Sequence, residues 1–150
     1  MSNPIVFETE FFTVYHETSF FIPGYLIIFP KKRTTNWANF SNEALMSLGE
    51  LLALSHRCIN SIIKPEKIYT TQYGEVEPNI HFHIFPRTQE ATKKYLSACN
   101  LEQNSIIAGP ALMDWVFNNK YLFKATQEEI NEIVYKISCE YKKYLAAMPG

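Results

Sequence analysis

Cysteine is scarce and scattered: the 150-residue chain has three, Cys58, Cys99 and Cys139. No Cys-x-x-Cys pair suggests a zinc knuckle or a redox motif. An odd count without an export signal fits free thiols in a reducing compartment. The opening MSNPIVFETEFF lacks the basic start and apolar stretch of a signal peptide. No apolar run approaches the roughly 20 residues of a membrane span. These absences give the expectation of a cytoplasmic protein without a membrane partner. Charge of one sign is missing too. A formal net charge of −1 gives no general attraction for nucleic acid. The run Lys31-Lys32-Arg33 is too short for a nucleic-acid patch and reads as a solvated strand end or one wall of a small anion site. There is no internal repeat and no low-complexity linker.

What is present is a core. Apolar residues make up 47% of the chain and charged residues 19%, enough to bury one ordinary domain over residues 1–150. Phe11 to His16 and Tyr25 to Pro30 read as strands, separated by a turn at Ile22-Pro23-Gly24. Ser41 reads as the N-cap of a long helix carrying Leu45, Leu48, Leu52, Ile59 and Ile63, ended by Pro65. Lys67 to Tyr73 and Asn79 to Phe85 read as two more strands, joined by the short GEVEP as antiparallel neighbours. The order predicts an α+β domain, an antiparallel meander with one helix on a face. Residues 89 to 120 are mixed, with a break at Gly109-Pro110. Thr126 and Glu129 form a capping box, and Ile130, Ile133, Val134, Ile137 and Tyr141 make an apolar stripe that covers the sheet or a partner subunit.

The chemistry concentrates in NIHFHIFPRT, residues 79 to 88. Alternate strand residues share a face, so His81 and His83 point the same way. Three readings stand side by side at this point. The pair can be half-buried and satisfied. It can supply two ligands to zinc, copper, iron or nickel, although His16, His56 and the scattered carboxylates give no clean third ligand. Or one neutral imidazole can attack phosphorus while the other helps.

The stretch NIHFHIFPR resembles the motif of the histidine-triad (HIT) family, His-φ-His-φ-His-φ-φ with φ apolar, often followed by Pro-Arg. Upstream, YHETSFFIPGYLIIFPKKR resembles the same family's acidic residue, Pro-Gly turn, apolar strand and Pro-Lys-Lys/Arg. The resemblance covers about residues 5–88, and residues 89–150 form a helical C-terminal extension outside it. It implies a HIT-like sheet and a nucleotide hydrolase or nucleotidyl transferase of the diadenosine polyphosphate hydrolase type. Such an enzyme acts at the α-phosphate of a (di)nucleoside polyphosphate or phosphoramidate, without cofactor or metal and usually as a homodimer. By position, His81 matches the nucleophile, His83 the histidine that contacts phosphate or leaving group, and Glu17 the acidic residue near the ribose hydroxyls. Glu17 reads equally as a solvated turn carboxylate.

Three departures from the pattern matter. Asn79 stands at the first histidine of the triad, and Arg33 stands where the family usually has a histidine after Pro-Lys-Lys/Arg. The two are readable as a compensating pair, the Arg33 guanidinium facing the Asn79 amide carbonyl. Arg33 is also readable as a phosphate ligand or a solvated strand end. The Asn and Gly-Gly-Gln-Ser-like stretch found in many members is replaced by TTQYGEVEP, where Gln72 offers an amide to phosphate or simply alternates outward. Arg87 meets a distal phosphate or pairs with a surface carboxylate such as Glu90, while Trp37 and Trp115 read as packing or dimer contacts. The incomplete triad leaves a second expectation, a purine-nucleotide-binding protein with little or no catalysis.

Overall fold

The computed structural model describes residues 2–147. Five strands form one antiparallel sheet in the order β1-β2-β3-β5-β4. They are β1 (Ile5–Glu8), β2 (Phe12–His16), β3 (Leu26–Pro30), β4 (Lys67–Thr71) and β5 (Phe82–Arg87). The helices are α1 (Asn42–Ile62), α2 (Gln89–Ala98), α3 (Gly109–Asn118) and α4 (Gln127–Ala147). The expected α+β arrangement is present, with one refinement. The chain leaves β3, crosses through α1 to the sheet edge as β4, and returns as β5 into the slot between them. The strand bearing His83 therefore has a neighbour on each side.

Local chemistry explains the boundaries. The Ser41 side chain caps α1 by accepting from the Ala44 N–H at 3.1 Å. The α1 face turned inward runs through Ala44, Leu48, Leu51, Leu54, Cys58 and Ile59. Leu45, expected on that stripe, points outward. The short strand β1 carries too little pattern to be read from sequence; it pairs with β2 across a register shift between Ile5 and Phe7. Strand β5 begins three residues later than the apolar pattern suggests and runs on through Pro86. Pro86 lies beyond the last β3 pairing, Leu26 with Ile84, where one side of the strand no longer needs an N–H donor.

The sheet is covered on both faces. Phe12, Val14, Leu26, Ile28, Phe82 and Ile84 pack beneath α1 and α4. Tyr25, Ile27 and Phe85 pack with Tyr95 and Leu96 of α2 and Leu112, Met113 and Val116 of α3. The capping box at α4 forms as expected, with the Glu129 N–H donating to Thr126 Oγ1 at 3.2 Å and the Thr126 N–H to Glu129 Oε2 at 2.7 Å. The α4 stripe is used within the chain: Tyr141 stacks on Phe7 at 4.7 Å and donates to Ser55 Oγ of α1 at 2.5 Å. Among the described residues no helix is long and apolar enough to cross a membrane.

Ile137 is fully buried where α4 meets this core. Ile137→Ala is expected to lower the unfolding free energy by about 2–5 kcal/mol through lost transfer energy and a residual cavity. A urea titration showing a loss below about 1 kcal/mol would contradict the docking of α4 described here.

Candidate active site

The pleat puts Ile27, Phe29, His83, Phe85, Tyr69 and Thr71 on the face shared with α2 and α3. Register places Ile27 of β3 and Thr71 of β4 on either side of His83. The two histidine rings lie 4.8 Å apart at 65°. His81 stands just before the first residue of β5 but keeps the alternation. Its segment is held outside the ladder, with the Ile80 N–H donating to the Thr34 carbonyl at 2.8 Å.

His81 is 8% exposed and its ring stacks on Phe29 at 4.8 Å and 14°. Its Nδ1 lies 2.8 Å from the Asn79 carbonyl oxygen. A carbonyl only accepts, so Nδ1 carries a proton, and in the neutral ring Nε2 keeps the lone pair. The Asn79 side chain faces elsewhere. Its amide nitrogen and its backbone N–H both donate to Glu77 Oε1, at 2.8 and 2.9 Å. These bonds hold the Glu77 carboxyl below the usual carboxylate range, with Arg33 and His81 adding smaller effects of the same sign. The Asn79 side chain therefore takes no part in the bond that orients His81, which the Asn79 backbone carbonyl accepts.

Arg33 lies with its guanidinium carbon 4.0 Å over the Phe29 ring, the ring on which His81 also stacks. It thus shares the Phe29 ring with His81, while the Asn79 amide is engaged by Glu77. Glu17 directly follows β2, and its Oε1 accepts from the Ser19 N–H at 2.7 Å. Its charge is felt at both His83 and Tyr25. Gln72 directly follows Thr71, the cross-strand partner of His83. Arg87 shares the histidine face but lies four residues beyond His83, about 13 Å along the strand. Its Nη1 donates to Tyr69 Oη at 2.8 Å and its Nε lies 3.3 Å from Glu66 Oε2. Glu90 pairs instead with Lys94 at 2.8 Å.

Tyr25 was not legible as a site residue. Its hydroxyl lies 2.6 Å from His83 Nδ1, reaching diagonally across from the residue just before β3. Burial, then the His81 charge, lowers the His83 pKa to about 4, with Glu17 opposing. Burial, with Glu17 adding, pushes the Tyr25 phenol up. His83 is therefore neutral near pH 7. The remaining histidines lie elsewhere. His16 Nδ1 donates to the Glu17 carbonyl at 2.7 Å while Nε2 accepts from the Gly24 N–H at 3.0 Å. His56 Nε2 bonds Thr70 Oγ1 at 2.8 Å, beside α1. Trp37 packs edge-on to Phe82, and Trp115 packs between Tyr95 and Phe123. Among the described residues no three His, Cys, Asp or Glu side chains stand close enough to hold a metal ion.

No family model matches the sequence, and no curated protein matches it. Solved structures do match the fold. A hypothetical histidine-triad nucleotide-binding protein from Sulfolobus tokodaii superposes with a TM-score of 0.64 at 16% identity, over 95% of this chain and 86% of that one. A histidine-triad protein from Bradyrhizobium japonicum gives 0.63 at 12%, over 93% and 90%. A zinc-bound histidine-triad family protein from Mycobacterium smegmatis gives 0.60 at 12%, over 97% and 89%. The chain has the histidine-triad fold.

The buried histidines make a pH prediction. His16 is lowered to about 4, burial outweighing its bond to the Glu17 carbonyl, and His83 is lowered likewise. Both fold as neutral rings, whereas the unfolded chain takes up protons on them below about pH 6.5. Stability is thus full above about pH 6.5 and falls as pH drops towards about 4, by up to about 1.4 kcal/mol per pH unit for each histidine. Denaturant melts at pH 6.5 and 5, a window in which most carboxylates stay ionised, are expected to show this loss; equal stability at both would contradict neutral burial.

Proposed function

We propose that the protein is a nucleotide hydrolase or nucleotidyl transferase. It acts at the α-phosphate of a (di)nucleoside polyphosphate or nucleoside phosphoramidate through a covalent nucleotidyl-histidine. The observation that carries this is His81: one ring nitrogen is tied to a backbone carbonyl at 2.8 Å, and the other is bare beside a second, neutral histidine. The Nε2 lone pair forms the bond to phosphorus. The bond from phosphorus to the leaving group breaks, and its electron pair departs with that group. Water or an acceptor hydroxyl then forms a new bond to phosphorus, loses its proton, and returns the electron pair to Nε2.

The other residues take supporting roles in this reading. Tying Nδ1 keeps the nucleophile in the reactive tautomer and stops its ring turning, so little reorganisation remains at the moment of attack. Glu17 receives the ribose hydroxyls. The Arg33 guanidinium, planar and permanently charged, meets phosphate oxygens from its seat on Phe29. Gln72 offers an amide to the same oxygens. Arg87, hydrogen-bonded to Tyr69 and ion-paired with Glu66, contributes by holding β4, β5 and α2 together. The reading includes a homodimer, for which β1 and β4 are the two open edges of the sheet.

The test is intact-protein mass spectrometry after rapid quenching with nucleotides that include diadenosine tetraphosphate and adenosine phosphoramidate. A mass increase of one nucleotidyl group, absent in His81→Ala, is expected, and His81→Ala is expected to lose at least about a thousandfold in turnover. Near wild-type turnover by that variant would contradict the covalent mechanism. Binding with neither adduct nor turnover in the wild type would leave a nucleotide-binding protein.

A further inference from the structure

The contact between Tyr25 and His83 has chemical consequences for the leaving group. We infer that Tyr25 is a positioning residue that holds His83 as the neutral Nε2–H tautomer, so that His83 binds the departing oxygen as a hydrogen-bond donor without protonating it. The preferred substrates are then nucleoside phosphoric anhydrides rather than phosphoramidates. This rests on the proposed reaction at His81.

The geometry carries it in three steps. Tyr25 Oη and His83 Nδ1 are 2.6 Å apart, and a phenol that keeps its proton has to place that proton somewhere. If Nδ1 were protonated, the ring would donate to the hydroxyl oxygen and the buried O–H would be left without its acceptor, a costly arrangement. With the O–H donating instead, Nδ1 accepts and the one ring proton sits on Nε2. The upward shift of the phenol and the downward shift of the imidazole, both from burial, agree with this protonation pattern. The other titratable groups felt at His83 are His81 and Glu17.

The substrate preference follows from proton balance. An anhydride leaves as a phosphate anion: the P–O electron pair goes with the oxygen, and a donor hydrogen bond from Nε2–H stabilises the growing charge. A phosphoramidate nitrogen must also gain a proton. For His83 to supply it, the ring would have to draw the Tyr25 proton onto Nδ1 and leave a buried phenolate, which its surroundings disfavour. The pair is built to donate a hydrogen bond and keep its proton.

Tyr25 is boxed by Phe20, Phe85 and Phe117, contacts that Tyr25→Phe retains. Long-range ¹⁵N–¹H spectra of the imidazoles, recorded without substrate, are expected to show His83 of the wild type bare at Nδ1 and protonated at Nε2. In Tyr25→Phe the tautomers are expected to mix. A merely structural role for Tyr25 would leave that signature unchanged. With diadenosine tetraphosphate, Tyr25→Phe is expected to lose roughly tenfold in kcat with KM little changed, one hydrogen bond's worth of orientation. Wild-type kcat/KM is expected to be at least about tenfold higher for the anhydride than for adenosine phosphoramidate at pH 7. An Nδ1-protonated His83 in the wild type, or the same tautomer in both proteins, would overturn the role of Tyr25. Faster turnover of the phosphoramidate would overturn the substrate preference. Turnover of neither substrate by the wild type would overturn the catalytic reading and the preference together, while the spectra still decide the tautomer.

Discussion

The site depends on one hydrogen bond, from His81 Nδ1–H to the carbonyl oxygen of Asn79 at 2.8 Å. It decides which ring nitrogen keeps its lone pair and which way that lone pair points. Because the acceptor is backbone, the side chain at position 79 does not determine it. What position 79 must do is keep its peptide plane still. The Asn79 side chain does so by joining its own N–H on the Glu77 carboxylate, while the Ile80 N–H anchors the segment to Thr34. Asn79, with its side chain and backbone N–H both on Glu77, thus fixes the orientation of the His81 ring by a local turn.

The topology makes that segment possible. Since β5 is inserted between β3 and β4, its histidine face is bordered by Phe29 on one side and Thr71 on the other. Phe29 gives His81 a flat surface and Arg33 a seat. On the far side of the sheet, α1 and α4 supply the apolar burial that holds these strands in register. The aromatic packing of α2 and α3 buries Tyr25, and burial keeps both Tyr25 and the half-buried His83 neutral near pH 7. Helices α2 and α3 therefore bear on the protonation of this pair as well as on stability.

Much of this was legible in the sequence. The period-2 pattern around His81 and His83 gave their common face, and the Ser41 and Thr126 caps gave two helix starts to the residue. The apolar alternation could not show that residues 79–81 leave the ladder, because a turn closed by Glu77 depends on side-chain geometry rather than hydrophobicity. Nor could it show the inserted position of β5, which is a matter of long-range pairing. Tyr25 was hidden for the same reason: its partner is 58 positions away and visible only once β3 and β5 are in register. The second half of the chain gave the capping box and the stripe of α4, whereas the surface that α4 covers needed the fold.

The proposed reaction turns on attack by His81 through Nε2. The direct measurement is to trap the nucleotidyl adduct, digest it under conditions that spare the phosphorus–nitrogen bond, and determine which residue and which ring nitrogen carry the group. Attachment at Nε2 of His81 is the predicted result. Attachment at Nδ1, or at any other residue, would contradict the account.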